Sequence, residues 1–195
     1  MNYSTAKMNT PVGDIAFAWN DDGALVHLQM DRALSRSTWE TDWAPGSPTE
    51  HLVAELTAGD PDASIRAGGA RSEPIRALKA YFRGDVAAID VLPVAPHGTE
   101  FQRAIWDALR QIPAGDTRTY GELAAALGKP AAARAVGGAV GSNPIALVVP
   151  CHRVVGSTGA LTGFGGGMAR KHWLLRHEGV DVPTPSAQLA LTGLA

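Results

Sequence analysis

One cysteine, Cys151, stands in this chain of 195 residues, and His152 and Arg153 follow it at once. A thiol is a weak nucleophile until it ionises, and an imidazole or a cationic setting beside it raises the thiolate fraction. The run Asn143-Pro144-Ile145-Ala146-Leu147-Val148-Val149-Pro150 reads as a buried β-type segment that delivers the sulfur. Against a nucleophilic role stands the ordinary fate of a lone cysteine, which is to be a small buried hydrophobe. Neighbours on an extended strand point to opposite faces, so His152 reaches the sulfur only through a bridging water or a local bend. Glu178 is an oddly placed acid, at the C-terminal end of a helix expected from about Ala169, where the dipole disfavours a carboxylate. A specific partner would offset that cost; a solvated surface glutamate is the plainer reading.

The elements that must hold these groups are marked by local signals. Thr10-Pro11-Val12-Gly13, Ile15 to Trp19, Asn20-Asp21-Asp22-Gly23 and Leu25 to Met30 alternate turn chemistry with β-type runs and predict a hairpin or meander. Helices are expected from about Pro48 to Thr57 and from Ser72 to Arg83, with Gly84 as a stop, and a strand over Ile89 to Val94. Pro93 to Gly98 has the composition of a linker. Thr99-Glu100-Phe101-Gln102 is a capping box, and Phe101, Ile105 and Leu109 form an apolar stripe behind it. A second box, Thr119-Tyr120-Gly121-Glu122, opens a short helix that Gly128 ends, and Pro130 starts another running to about Val140. Two short helices about a tight turn are a helix-turn-helix candidate, a pattern that many helix pairs share. The second helix carries Arg134 alone among alanines and glycines: a small surface suited to a narrow groove, or a tightly packed helix with its arginine in water. Gly163-Phe164-Gly165-Gly166-Gly167 exposes backbone, as any turn between strand and helix also would.

Composition narrows the classes further. Apolar residues make up 45% of the chain and charged residues 18%, which excludes a disordered tail or a coiled coil. A single cysteine excludes an internal disulfide and points to a reducing, cytoplasmic setting; the start shows neither a signal-peptide core nor a spanning run. The net charge of −2 conceals an asymmetry. Residues 1–99 hold 8 Lys+Arg against 13 Asp+Glu, whereas residues 100–179 hold 9 against 5. A polyanion partner is therefore assigned to the second half.

Taken together, Pro150-Cys151-His152-Arg153-Val154, Ala133-Arg134-Ala135-Val136-Gly137, Asn143-Pro144, Thr119-Tyr120-Gly121-Glu122-Leu123-Ala124 and Trp173-Leu174-Leu175-Arg176-His177-Glu178-Gly179 resemble the O6-alkylguanine-DNA alkyltransferases. The resemblance covers roughly Gly98 to Val180, with weaker echoes in Thr10-Pro11-Val12-Gly13 and Ala80-Tyr81-Phe82-Arg83-Gly84. It implies an α+β protein: a small ribonuclease H-like α/β module over residues 1–95, a mostly helical domain over 96–180 containing a helix-turn-helix, and a tail over 181–195.

The same resemblance implies direct-reversal DNA repair, in which Cys151 takes the alkyl group from O6-methylguanine, and less so from O4-methylthymine, once per molecule. His152 resembles the general base acting through water, Glu178 the group that orients it, Tyr120 the donor to the departing guanine, and Asn143 a hinge beside the active-site segment. Arg134 resembles the side chain that fills the gap left by a flipped base, with Ala133, Ala135, Gly137 and Thr119 at the DNA. Val154, Val155, Phe164, Gly165 and Gly166 would line the pocket, where Phe164 replaces a more frequent tyrosine and Gly165 a serine of some members. No cofactor and no metal are implied. The partner is double-stranded DNA carrying O6-alkylguanine, bound by a monomer, with cooperative loading on DNA left open and no membrane involved. The alternative function is a non-catalytic protein that recognises alkylated DNA and flags it; a cysteine hydrolase is the remote third.

Overall fold

The structure, a computed structural model, describes residues 2–30, 64–67 and 72–182. The expected helix from about Pro48 to Thr57, and the tail beyond residue 182, lie outside the described residues.

The expected hairpin forms between β2 (Gly13–Asn20) and β3 (Leu25–Met30), and β1 (Asn2–Thr10) pairs antiparallel with β2 on its other side. Thr10 closes the first turn: its hydroxyl donates to the Gly13 carbonyl and accepts from the Val12 amide, while Gly13 supplies the positive φ. A short β4 (Ser64–Ala67) adds parallel to β1, which gives the order β3-β2-β1-β4. The central strand β2 is buried on both faces: Ile15, Phe17 and Trp19 enter the main core, and Ala16 and Ala18 meet Tyr3 and Val26 on the other.

Helix α1 (Glu73–Phe82) carries Pro74 in its first turn, buries Ile75, Leu78 and Tyr81, and ends ahead of Gly84 at φ 108°. The strand expected over Ile89 to Val94 does not form. Residues 86–91 are turns that bury Ile89, and a single bridge joins Val94 to Leu25. The free edge of β3 cannot serve a longer strand there, because Leu28 bonds instead to Pro144 and Ala146 and brings the segment ahead of Cys151 onto the sheet.

Both capping boxes close as expected. They start α2 (Glu100–Arg110) and, after the two-residue strand β5 (Arg118–Thr119), α3 (Tyr120–Ala126). Ile105, Trp106 and Leu109 are the buried face of α2, with Phe101 partly covered. Gly128 at φ 69° turns the chain, a 3-10 turn (Pro130–Ala132) follows, and α4 (Ala133–Gly141) packs against α2 through the Trp106 indole, which donates to the Ala139 carbonyl at 2.8 Å. Cys151–Arg153 form a second 3-10 turn, β6 (Val154–Val155) pairs parallel with β5, and α5 (Met168–His177) closes the described chain.

The fold is α+β, and one apolar cluster runs from Phe17 and Leu28 of the sheet through Leu78 of α1 to Ile105 and Leu109 of α2 and Leu174 of α5. Arg170 of α5 reaches across it to donate to the Val12 carbonyl at 2.6 Å and to Gly166 at 3.0 Å. Among the described residues no helix is long and apolar enough to cross a membrane.

Candidate active site

Cys151 does not sit on a strand. The run ahead of it folds back, with Val149 bonding to Ile145 at 2.9 Å and Leu147 held at φ 77°, the one non-glycine residue at positive φ among those described. Asn143 fixes this bend from both ends: its Oδ1 accepts from the Ile145 amide at 3.0 Å and its Nδ2 donates to the Val149 carbonyl at 2.8 Å. A short amide side chain that satisfies local backbone groups competes with sheet pairing, and here it wins. Asn143 and the 3-10 turn thus bend the chain at Cys151.

His152, Arg153 and Glu178 are buried together. His152 Nε2 lies 3.0 Å from Glu178 Oε1. Arg153 binds the same carboxylate with two prongs, Nε to Oε2 at 2.7 Å and Nη2 to Oε1 at 2.8 Å, and its Nη1 donates to the Ile112 carbonyl at 2.6 Å. The Tyr81 hydroxyl, from α1, donates to Oε1 at 2.8 Å. Glu178 is thus a fully partnered carboxylate; its unfavourable place at a helix end is offset by Arg153, His152 and Tyr81.

The electrostatics follow from this crowding. Burial alone would raise the Glu178 pKa, but the hydrogen bonds from Arg153 and His152 hold it down to about 2. The carboxylate is then purely an acceptor, so His152 carries its proton on Nε2. Burial lowers the His152 pKa in spite of Glu178, with Arg153 and Lys171 adding to the effect, and the ring is neutral near pH 7. Its Nδ1 has no protein hydrogen-bond partner among the described residues.

Cys151 departs from expectation. Burial pushes its thiol up, against the Asn143 hydrogen bond, the Lys171 ammonium and the amides of Cys151 and His152, which all pull it down. Desolvation outweighs the cationic setting, so the resting group is a thiol and needs a base. Lys171, fully buried, donates to the carbonyls of Val154 and of Thr162, the latter at 2.7 Å; burial lowers its pKa to about 8, with Cys151 opposing.

Cys151 opens onto a cavity of about 610 Å3. Tyr120, Gly137, Asn143, Phe164, Gly165 and Gly166 line it, as do His27, Gln29 and Met30 of β3. Phe164 also stands edge-on to His152, with ring centroids 6.5 Å apart. Val154 and Val155, expected in the pocket wall, are not among its lining residues. They are buried in β6, where pairing with Arg118 and Thr119 ties the cysteine segment to the cap of α3 and so to Tyr120. Thr119 spends its hydroxyl on that cap, accepting from the Glu122 amide at 3.1 Å. Arg134 and Ala135 are exposed on α4 and Ala133 is half-buried; Gly137, also half-buried, brings the α4 backbone against Tyr120, since a Cβ there would lie 3.8 Å from the ring.

Sequence reasoning missed Tyr81, Arg153 and Lys171 as members of the site, and β3 as one of its walls. Arg153 lay inside the quoted motif, and the only signal for it was its place beside His152.

Residues 100–180 match the family model described as the 6-O-methylguanine DNA methyltransferase DNA-binding domain. A methylated-DNA–protein-cysteine methyltransferase of Methanosarcina barkeri is 40% identical over 171 residues, 88% of this chain and 94% of that relative. One from Salmonella typhimurium is 62% identical over 102 residues, 52% of this chain, and the match takes in 60% of that relative's length. The crystal structure of Mycobacterium tuberculosis OGT in complex with DNA aligns with a TM-score of 0.66 at 35% identity, over 91% of this chain and 92% of that one. The chain belongs to the methylated-DNA–protein-cysteine methyltransferase family.

Proposed function

We propose that the protein repairs DNA directly, moving the alkyl group of O6-methylguanine, and less readily that of O4-methylthymine, onto Cys151. The observation that carries this reading is a buried thiol at a cavity of about 610 Å3, beside a neutral histidine whose free Nδ1 is backed by an ionised carboxylate.

Cys151 attacks the methyl carbon, so the S–C bond forms as the C–O6 bond breaks. The thiol proton passes through a water to His152 Nδ1, and Glu178 stabilises the imidazolium through Nε2–H. Guanine leaves with the C–O electron pair as Tyr120 donates a proton to a ring nitrogen; exchange with solvent then returns a proton to Tyr120 and takes one from the His152 imidazolium. The net exchange is alkyl to sulfur and one proton to guanine, and the thioether so formed leaves the protein spent. Asn143 holds the bend that presents the thiol.

The base must leave the stack to reach Cys151, at a cost of a few kcal/mol. Arg134 fills the gap it leaves, and Ala133, Ala135 and Gly137 let α4 enter the minor groove, with Thr119 at its edge. In this reading α3 and α4 are a helix-turn-helix. The order β3-β2-β1-β4, with β4 parallel to β1, supports a ribonuclease H-like module over 1–95 that buttresses the DNA-binding and acceptor domain over 96–180. Of the nine cations of residues 100–179, Arg153, Arg170 and Lys171 are buried, as is Glu178. The surface excess is smaller than the composition suggests, so DNA binding is modest and salt-sensitive.

Intact mass after incubation with an O6-methylguanine duplex tests the proposal. One methyl in place of one hydrogen, mapped to Cys151, is expected; an unmodified protein, or an adduct elsewhere, refutes it.

A further inference from the structure

The N-terminal module reaches the catalytic residues through a polar contact made by a side chain the reaction scheme above does not use. Tyr81 lies on α1, buried, and its hydroxyl sits 2.8 Å from Glu178 Oε1, 97 residues away in sequence. Oε1 is the same oxygen that faces His152 Nε2 and Arg153 Nη2. The seam that carries this contact is specific. His177 Nε2 lies 2.8 Å from the Tyr81 carbonyl, its ring stacks on Trp173 at 4.7 Å, and Phe82 packs edge-on against Tyr81. α1 and the end of α5 are thereby docked with the phenol aimed at the carboxylate.

We infer that Tyr81 is a positioning residue for alkyl transfer, which sets the basicity of His152 by sharing the Glu178 oxygen on which His152 depends. This rests on the alkyl-transfer reading above. A carboxylate oxygen that accepts from a phenol has less charge to offer an imidazolium. Tyr81 therefore holds His152 in the neutral form that accepts the thiol proton. Burial and Glu178 both hold the phenol protonated, far above its ordinary range, so it remains a donor at every working pH.

The groups that face this relay are Lys171 of α5, Glu178 just past its last turn, Arg153 and Cys151 of the 3-10 turn, Tyr81 of α1, and Asp90 in the turn that follows α1. Arg153 and Lys171 disfavour a charged His152, and they stay in place when the phenol oxygen is removed. The effect of that oxygen is thus separable from theirs.

Tyr81→Phe removes the oxygen and keeps the ring. The freed charge on Oε1 raises the His152 pKa, so the acid limb of the transfer rate moves up by about one pH unit, the equivalent of about one hydrogen bond's difference between the two protonation states. On that acid limb the rate falls several-fold, and on the plateau above it the rate stays near that of the unmodified protein. Phe82→Leu serves as the packing control: it loosens the same seam, lowers the melting temperature and leaves the limb where it was. A Tyr81→Phe limb coincident with that of the unmodified protein overturns the inference, as does a uniform loss at all pH values. The His152 titration read by NMR, and the pH dependence of Cys151 alkylation by iodoacetamide, report the same shift without DNA. If the unmodified protein takes no methyl group from a duplex, the reading above fails, while these two measurements still decide the role of Tyr81.

Discussion

Arg153→Met tests how the buried carboxylate is sustained. The guanidinium makes two charged hydrogen bonds to Glu178 and one to the Ile112 carbonyl, all out of solvent. Removing one partner of such a pair leaves an uncompensated buried charge and costs about 3 to 5 kcal/mol. The Glu178 pKa gives the same scale for the whole cluster: held at about 2 in place of an ordinary 4.5, against burial and by Arg153 and His152 together, it corresponds to about 3 kcal/mol of stability. Because the folded-state pKa is depressed, that stability is fully present above about pH 4.5 and drains as pH falls toward about 2. The gap between Arg153→Met and the unmodified protein is therefore widest at neutral pH and narrows in acid, where the stranded Glu178 takes up a proton. Urea denaturation at a series of pH values between 3 and 8 measures it. A loss below about 1 kcal/mol at pH 7, or one that does not change with pH, would refute the reasoning.

Other expectations follow from single contacts. Glu178→Gln should leave Cys151 alkylation by duplex DNA at least about tenfold slower, since it withdraws the charge that stabilises the imidazolium, a contribution of general base catalysis visible in single-turnover kinetics. Arg134→Ala should slow transfer from duplex DNA roughly tenfold to a hundredfold while sparing the reaction with free O6-methylguanine base, because only the duplex has a stack to refill; equal losses on both would argue against gap filling. Gly138→Ala, at an exposed helical site where a Cβ meets nothing within 4 Å, should raise stability by about 1 kcal/mol in thermal melts. Gly166→Ala would place a Cβ 2.6 Å from Phe164 Cε1 and 3.3 Å from Met30 Sδ, so it should displace the Phe164 ring and penalise bulky O6 substituents more than methyl, a ratio readable by competition between two lesions.

What could be read in advance follows the distance over which each signal acts. The capping boxes of α2 and α3 were legible because Thr99 and Gln102, or Thr119 and Glu122, satisfy each other three residues apart. The hairpin of β2 and β3 was legible because its turn residues and the β-type runs they separate are contiguous. The strand expected over Ile89 to Val94 had β-type composition, but strand pairing needs a free edge, and Leu28 had given that edge to Pro144 and Ala146. The strand expected ahead of Cys151 failed for a related reason: Asn143, at its start, satisfies the backbone at both ends of a bend.

By itself, the sequence determined the chemical inventory: one thiol, the imidazole beside it, a lone arginine on a helix of small residues, and an acid at a helix end where the dipole disfavours it. It determined these because residue type and local spacing are properties of the chain. Only the tertiary structure decided how they act. The Glu178 carboxylate is held by Arg153 from 25 residues away and by Tyr81 from 97, so neither contact leaves a local pattern. Whether Cys151 rests as thiol or thiolate was likewise beyond local reading, since burial pulls one way and the Asn143 hydrogen bond, Lys171 and nearby backbone amides the other, and burial exists only once the core has closed.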